Sequence, residues 1–301
     1  MRKIFFYMMT ITIVLATSCN KDDGEEDGPN RMTLTTLNGG LTIIMNGSGT
    51  ATVDWGDNTE IETYTLQEYS AVGDQYFNHE YADAPPHTIT ITGDNIRRFG
   101  CNGTALTQLD VKRNPALESL TCATNFLYSL DISRNTALRT LYCNDNEFSE
   151  LDLSKNTELD SLICTRNNLR KLDVSKCLKL YYLDCGTNLI KSLDFRYNSE
   201  LWYLGCYTNQ LLDLDVSMNT KLGILTCYNN YLTKLDFSAN SKLYGVICIG
   251  NILTTQALNA MFRTLHSDIV ATGSKIIYIE NNPGTNDCDI SIAENKGWIF
   301  R

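Results

Sequence analysis

The sequence of 301 residues predicts a β-rich α/β solenoid built on a parallel sheet, with a β-sandwich before it and a small α/β cap after it. Three observations predict this architecture. Residues 96–263 repeat with a period of 21. Residues 32–95 read as short β runs separated by Gly, Asn, Asp and Pro. Residues 264–301 leave the period, at the end of the stack where an open core has to be covered.

The repeat is read column by column. Leu117, Leu138, Leu159, Leu180, Leu201, Leu222 and Leu243 mark the beat, and Ile96 stands one period earlier. Leu120 and its equivalents follow three residues later, then a cysteine from Cys122 to Cys248, then an asparagine from Asn125 to Asn251. Each coil closes on Leu-Asp-apolar, as in Leu130-Asp131-Ile132 and Leu214-Asp215-Val216. One coil of 21 residues cannot bury its own leucines, whereas stacked coils share a continuous core. The Leu-x-Cys step predicts a short strand whose alternate side chains point inward. The asparagine is expected to turn inward at a bend and satisfy backbone groups that have no strand partner. The pattern resembles the leucine-rich repeat, with cysteine in place of one leucine, and is most similar to the short bacterial class called IRREKO. The resemblance covers eight coils and implies a right-handed solenoid.

Eleven cysteines in an exported chain suggest a disulfide framework, but their spacing argues against it. Eight of them, Cys101 to Cys248, share one inward column, where parallel neighbours point the same way and approach poorly for a bond. They are expected to be buried free thiols. No paired C-x-x-C spacing suggests zinc. Cys177 replaces the asparagine at the end of its coil, and Cys288 stands in the last segment; neither is assigned any chemistry.

At the start, Arg2 and Lys3 precede an apolar run from Ile4 to Ala16, a secretory signal too short for a comfortable permanent span. Leu15-Ala16-Thr17-Ser18-Cys19 resembles a lipobox, which implies that 1–19 is a lipoprotein signal and Cys19 the lipidated residue. The alternative is a plain cleaved signal followed by an ordinary cysteine. Residues 20–31 are polar and acidic, a tether with nothing to bury. Lys21-Asp22-Asp23 resembles the export signal of surface lipoproteins in some Gram-negative bacteria, implying an outer-membrane protein facing outward.

In the segment 32–95, Val53-Asp54-Trp55-Gly56-Asp57-Asn58, Asn78-His79-Glu80-Tyr81 and His87 to Ile91 resemble the polycystic-kidney-disease-type immunoglobulin-like domain. Asp54, Asp57, His79 and Glu80 could form an acid–base or metal cluster, but capping of turns and strand ends is the simpler reading. With no linker before Ile96, this unit should sit directly on the first coil. At the other end, Thr254 to Leu265 has helical spacing, Lys275 to Glu280 and Trp298 to Phe300 read as strands, and Asp287 is a candidate N-cap for a short helix between them.

No catalytic motif is found among the three histidines, and there is no G-x-S-x-G or phosphate-cradling loop. A formal charge of −10 without basic clusters argues against nucleic acid. The aspartate column, Asp110 to Asp236, needs something to offset its mutual repulsion. Backbone N–H groups of the following turn are the first candidate and calcium the rival; no cofactor is expected. The outward strand positions differ from all of these because they do not repeat. Tyr142, Tyr181, Tyr182, Trp202, Tyr203, Tyr207, Tyr228 and Tyr244 are therefore the candidate ligand-binding residues. The rival reading is that these rings pack on one another along the sheet and simply stabilise it. The expected function is recognition of an extracellular protein or glycan. The alternative is a structural or assembly subunit of an outer-membrane envelope complex.

Overall fold

The computed structural model describes residues 30–268 and 273–301. Cys19, the leader and most of the acidic segment lie outside the described residues. The chain opens with β1 (Arg31–Thr36), β2 (Gly40–Gly47), β3 (Thr50–Asp54), β4 (Glu62–Thr65), the single turn α1 (Tyr69–Val72), β5 (Tyr76–Glu80) and β6 (His87–Thr92). Then come β7 (Ile96–Gly100) and β8 (Leu106–Arg113). One sheet runs β4-β3-β6-β1-β8. Strands β5 and β2 belong to the second sheet, which continues without a break through β7 into the coils. Strict alternation supplies the inward faces: Met32 and Leu34 of β1 and Ile89 and Ile91 of β6 are buried, as are Ile43 and Met45 of β2. All belong to one core with the leucines of the coils.

The two units meet through a strand they share. β7 pairs antiparallel with β2 and parallel with β9 (Ser119–Thr121). β8, the other half of the first coil, leaves the solenoid and pairs antiparallel with β1. Phe99, fully buried on β7, lies between the two cores.

From β9 each coil contributes three strand residues: β10 (Thr140–Tyr142), β11 (Ser161–Ile163), β12 (Tyr182–Asp184), β13 (Tyr203–Gly205), β14 (Ile224–Thr226) and β15 (Gly245–Ile247). All pair in parallel with the 21-residue register intact, so that Leu141 meets Leu120 and Leu162. The leucine and cysteine columns are fully buried.

The asparagine column works as anticipated. Asn167 donates to the carbonyls of Cys143, Cys164 and Thr165 at 3.1–3.2 Å, and its Oδ1 accepts the Phe148 N–H at 3.0 Å. The same bonds recur at Asn146, Asn188, Asn209, Asn230 and Asn251. A second column, Asn135, Asn156, Asn198, Asn219 and Asn240, is equally buried, and each member donates to two carbonyls of the preceding coil. Cys177 stands in this column and reaches only the Asn156 carbonyl, through its thiol at 3.7 Å. A further column had no signal in the sequence. Thr124, Asp145, Arg166, Thr187, Thr208 and Asn229 all have φ between 50° and 58°, at the bend just before the inward asparagine.

The cap begins with α2 (Thr255–Thr264), where the Thr254 hydroxyl oxygen accepts the Ala257 N–H at 3.2 Å and caps the first turn. Leu258, Met261 and Phe262 are its buried face. Lys296 closes the other end by donating to the carbonyls of Phe262, Arg263 and Leu265 at 2.5–3.2 Å. β16 (Lys275–Tyr278), α3 (Ser291–Glu294) and β17 (Trp298–Phe300) complete the chain, and both strands extend the parallel sheet. Asn282 continues the asparagine ladder, but its reach back to Cys248 spans 34 residues where the repeat spans 24. The cap is therefore one more coil with α2 inserted in it. α3 starts later than expected. Asp289, not Asp287, accepts the Ser291 N–H and hydroxyl, at 3.2 and 2.6 Å, while Asp287 lies in the preceding turn, its N–H bonded to the Gly284 carbonyl.

Candidate ligand-binding face

Parallel register turns each outward strand position into a column. One column runs Ser119, Thr140, Ser161, Tyr182, Tyr203, Ile224, Gly245. The other runs Thr121, Tyr142, Ile163, Asp184, Gly205, Thr226, Ile247. Neighbours in a column are one strand spacing apart, close enough for rings to meet. Tyr182 and Tyr203 stack at 4.3 Å between centroids and 5° between planes. Tyr181 and Trp202, just before the strands, stack at 5.3 Å and 3°; Tyr207 and Tyr228, just after the cysteines, stack at 4.6 Å and 9°. Tyr244 tilts against Trp202 at 6.4 Å. Seven of the eight candidate rings are thus in aromatic contact. Tyr142 stands apart, its hydroxyl oxygen 3.3 Å from that of Ser161.

Sequence reasoning missed the residues that make room for these rings. A Cβ at Gly186 would overlap the Tyr207 ring, and one at Gly223 would lie 2.6 Å from Trp202 Nε1. A Cβ at Gly205 would lie 2.6 Å from Asp184 Oδ1. The signal was present: these glycines break columns that carry larger side chains in other coils. Asp184 was missed as well. It points outward from β12, yet is only 9% exposed. Its Oδ1 accepts the Gly186 N–H at 3.2 Å. Burial pushes this carboxyl up to about 6, although the Gly186 N–H and the Tyr207 and Tyr203 hydroxyls favour the charged form. The same burial raises the Tyr182 and Tyr203 hydroxyls and takes Tyr207 to about 12.

The aspartate column is held by nearby backbone N–H groups. Oδ1 of Asp131, Asp152, Asp173, Asp215 and Asp236 accepts the N–H of the serine two residues on, at 2.8–3.0 Å. In Asp110 and Asp194 the donors are the Lys112 and Arg196 N–H groups. Those bonds hold Asp152, Asp173 and Asp215 below the usual carboxylate range. In the N-terminal unit Asp54 accepts from the Gly56 N–H, and Asp57 from the Thr59 hydroxyl and N–H and from His79 at 2.7 Å. The Thr59 hydroxyl is the largest influence that takes Asp57 down to about 2. His79 stacks on the buried Trp55 ring at 4.8 Å, while Glu80 lies against Gly40.

The decisive geometry is the coil itself: one three-residue parallel strand per 21 residues, an inward leucine–cysteine core and an asparagine ladder. The fold is a leucine-rich-repeat solenoid. Among solved structures it is similar to the functional domain of InlJ from Listeria monocytogenes, which is described as including a cysteine ladder. That match has 29% identity and a TM-score of 0.51, covering 66% of this chain and 47% of that one. It is also similar to a leucine-rich-repeat protein of Leptospira interrogans, at 19% identity and a TM-score of 0.52, covering 64% of this chain and 56% of that one. The chain spans about half the length of these structures. Neither a protein-family model nor a curated relative matches the sequence. In this leucine-rich-repeat solenoid the cysteine ladder is the Cys101–Cys248 column, all free and buried. The thiols of Cys101, Cys185 and Cys248 face the carbonyls of Thr121, Gly205 and Tyr278 in the next coil, at 3.3–3.7 Å. Among the described residues no helix is long and apolar enough to cross a membrane, and no group of His, Cys, Asp and Glu is placed to hold a metal.

Proposed function

We propose that this solenoid is a recognition protein that binds an extracellular protein or glycan through the aromatic face of its sheet. One observation carries the reading. The outward positions carry mostly Ser, Thr and Arg in early coils, whereas from Tyr181 onward seven tyrosine and tryptophan rings form three groups in aromatic contact. The solenoid does not need this change, because its core columns are the same in every coil. Tyr and Trp supply large contact area, low entropy cost and a polar tip, the properties of binding hot spots. The reading includes lipid anchoring at Cys19 in an outer membrane. It also includes an N-terminal unit related to the polycystic-kidney-disease-type Ig-like domain, supported by the Trp55–Glu62 bond at 3.0 Å and the Tyr81–Trp55 carbonyl bond at 3.1 Å.

The test is binding of the purified protein to an array of matrix proteins and glycans. Trp202→Ala with Tyr203→Ala should weaken the response by about 2 kcal/mol or more while unfolding stays cooperative. Unchanged affinity with only a lower melting temperature would assign the rings to stability alone.

A further inference from the structure

Each stacked pair covers two of its four ring faces and leaves one outer face on each ring. Free faces survive at the end of a stack. Tyr182 stacks on Tyr203 and Tyr181 on Trp202, so the opposite face of each looks toward the preceding coil. That coil places only Ser161 opposite Tyr182. The step creates a shallow cleft of about 600 Å³, lined by Tyr142, Asp160, Ser161, Ile163, Tyr181 and Tyr182. Its size lies within the ordinary range of ligand sites.

The polar groups of the cleft are specific in kind. The Tyr142 and Ser161 hydroxyls lie opposite the ring wall and bond only weakly to each other, at 3.3 Å. Asp160 adds a carboxylate whose Oδ2 takes both Arg139 bonds, at 3.1 and 3.0 Å. Its Oδ1 is left to accept from a ligand, while the guanidinium balances its charge. Two aromatic side chains on one wall, with hydroxyl and acceptor groups beside them and a carboxylate balanced by Arg139, match a ring that is apolar on its faces and carries hydroxyls at its rim. A cationic group would find the carboxylate already neutralised. An apolar side chain would make no use of these hydroxyl and carboxylate groups.

We infer that the cleft between β11 and β12 binds a neutral saccharide, stacked on the free faces of Tyr181 and Tyr182 and hydrogen-bonded by Asp160, Ser161 and Tyr142. This rests on the recognition face proposed above and commits it to one ligand class. The site takes its shape from a single boundary, the place where the column changes from serine to tyrosine.

Ser161→Tyr tests it directly. Tyr182 and Tyr203 already occupy the next two places of the same column, so a third tyrosine extends the stack, fills the cleft and leaves the coil intact. The full chain, Ser161→Tyr and Tyr182→Leu are titrated with neutral mono- and oligosaccharides, hexoses and N-acetylhexosamines included, and their thermal unfolding is recorded. The expected result is binding by the native protein, an affinity loss of at least about ten-fold in both variants, and cooperative unfolding in all three. Two results overturn the inference: no saccharide binds, or one binds equally well to Ser161→Tyr. If no saccharide binds but a matrix protein is bound and then lost in the Trp202/Tyr203 double variant, the cleft assignment fails and the wider recognition face stands.

Discussion

Cysteine at the core position gives this solenoid a small apolar side chain whose weak S–H donor can face the next coil's carbonyl. Burial raises the thiols, Cys122 and Cys248 to about 12, so almost no thiolate exists near neutral pH. The eight column thiols should therefore resist alkylation in the folded protein and react fully in denaturant, as read by mass spectrometry. A disulfide between neighbours such as Cys143 and Cys164 would contradict the geometry. Asp184 leads to a second expectation. Its folded value near 6 lies above the 3.8 of a free carboxyl, so the native state holds this proton more tightly than the unfolded chain. That stabilisation is complete below about pH 4 and is lost as pH rises through 6. Asp184→Asn keeps an acceptor for Gly186 and removes the charge, so it should raise stability at pH 7 by about 2 kcal/mol. The gap between variant and native protein should narrow as pH falls from 7 toward 4; a gap independent of pH would assign it to packing.

Each coil takes its bend through one residue in the left-handed region, and most coils put a side chain there instead of glycine. Thr187 is the most strained type, β-branched at φ 53°. Thr187→Gly should stabilise the protein by about 0.5–1 kcal/mol, the left-handed penalty less the added freedom of the unfolded chain. The same change at Thr136, outside the left-handed region, should destabilise it, and thermal melts of the pair decide. This bend marks the limit of what the sequence makes legible. Leucine, cysteine and asparagine columns were readable because packing or a polar bond requires the same residue in every coil. The left-handed column was not, because it constrains backbone and leaves the side chain free, so Thr, Asp, Arg and Asn all occur there. The candidate face was readable as departures from the repeat, but its shape was not. Which ring faces stay free depends on Ser161 opposite Tyr182, and the burial of Asp184 depends on Gly205 and Tyr207 in the next coil. Neither follows from any one segment.

At the scale of the whole chain, the ladders connect residues 19, 21 or 24 apart wherever coils are regular, never a particular residue to a unique partner. Removing one full period leaves every such rule satisfied. Excision of residues 144–164 joins Cys143 to Thr165 and restores cysteine, two residues, then Asn167. The shortened protein should unfold in one cooperative transition by circular dichroism, with a modestly lower midpoint; an unfolded product would show that long-range contacts beyond neighbouring coils hold the stack. Duplication or loss of a coil by unequal exchange between repeated gene segments is therefore tolerated by the scaffold almost anywhere along it. The non-repeating face is not interchangeable in this way, since each crossover rewrites which ring stands beside which. A lineage can thus change the face it presents by changing its number of coils, with no new core to invent.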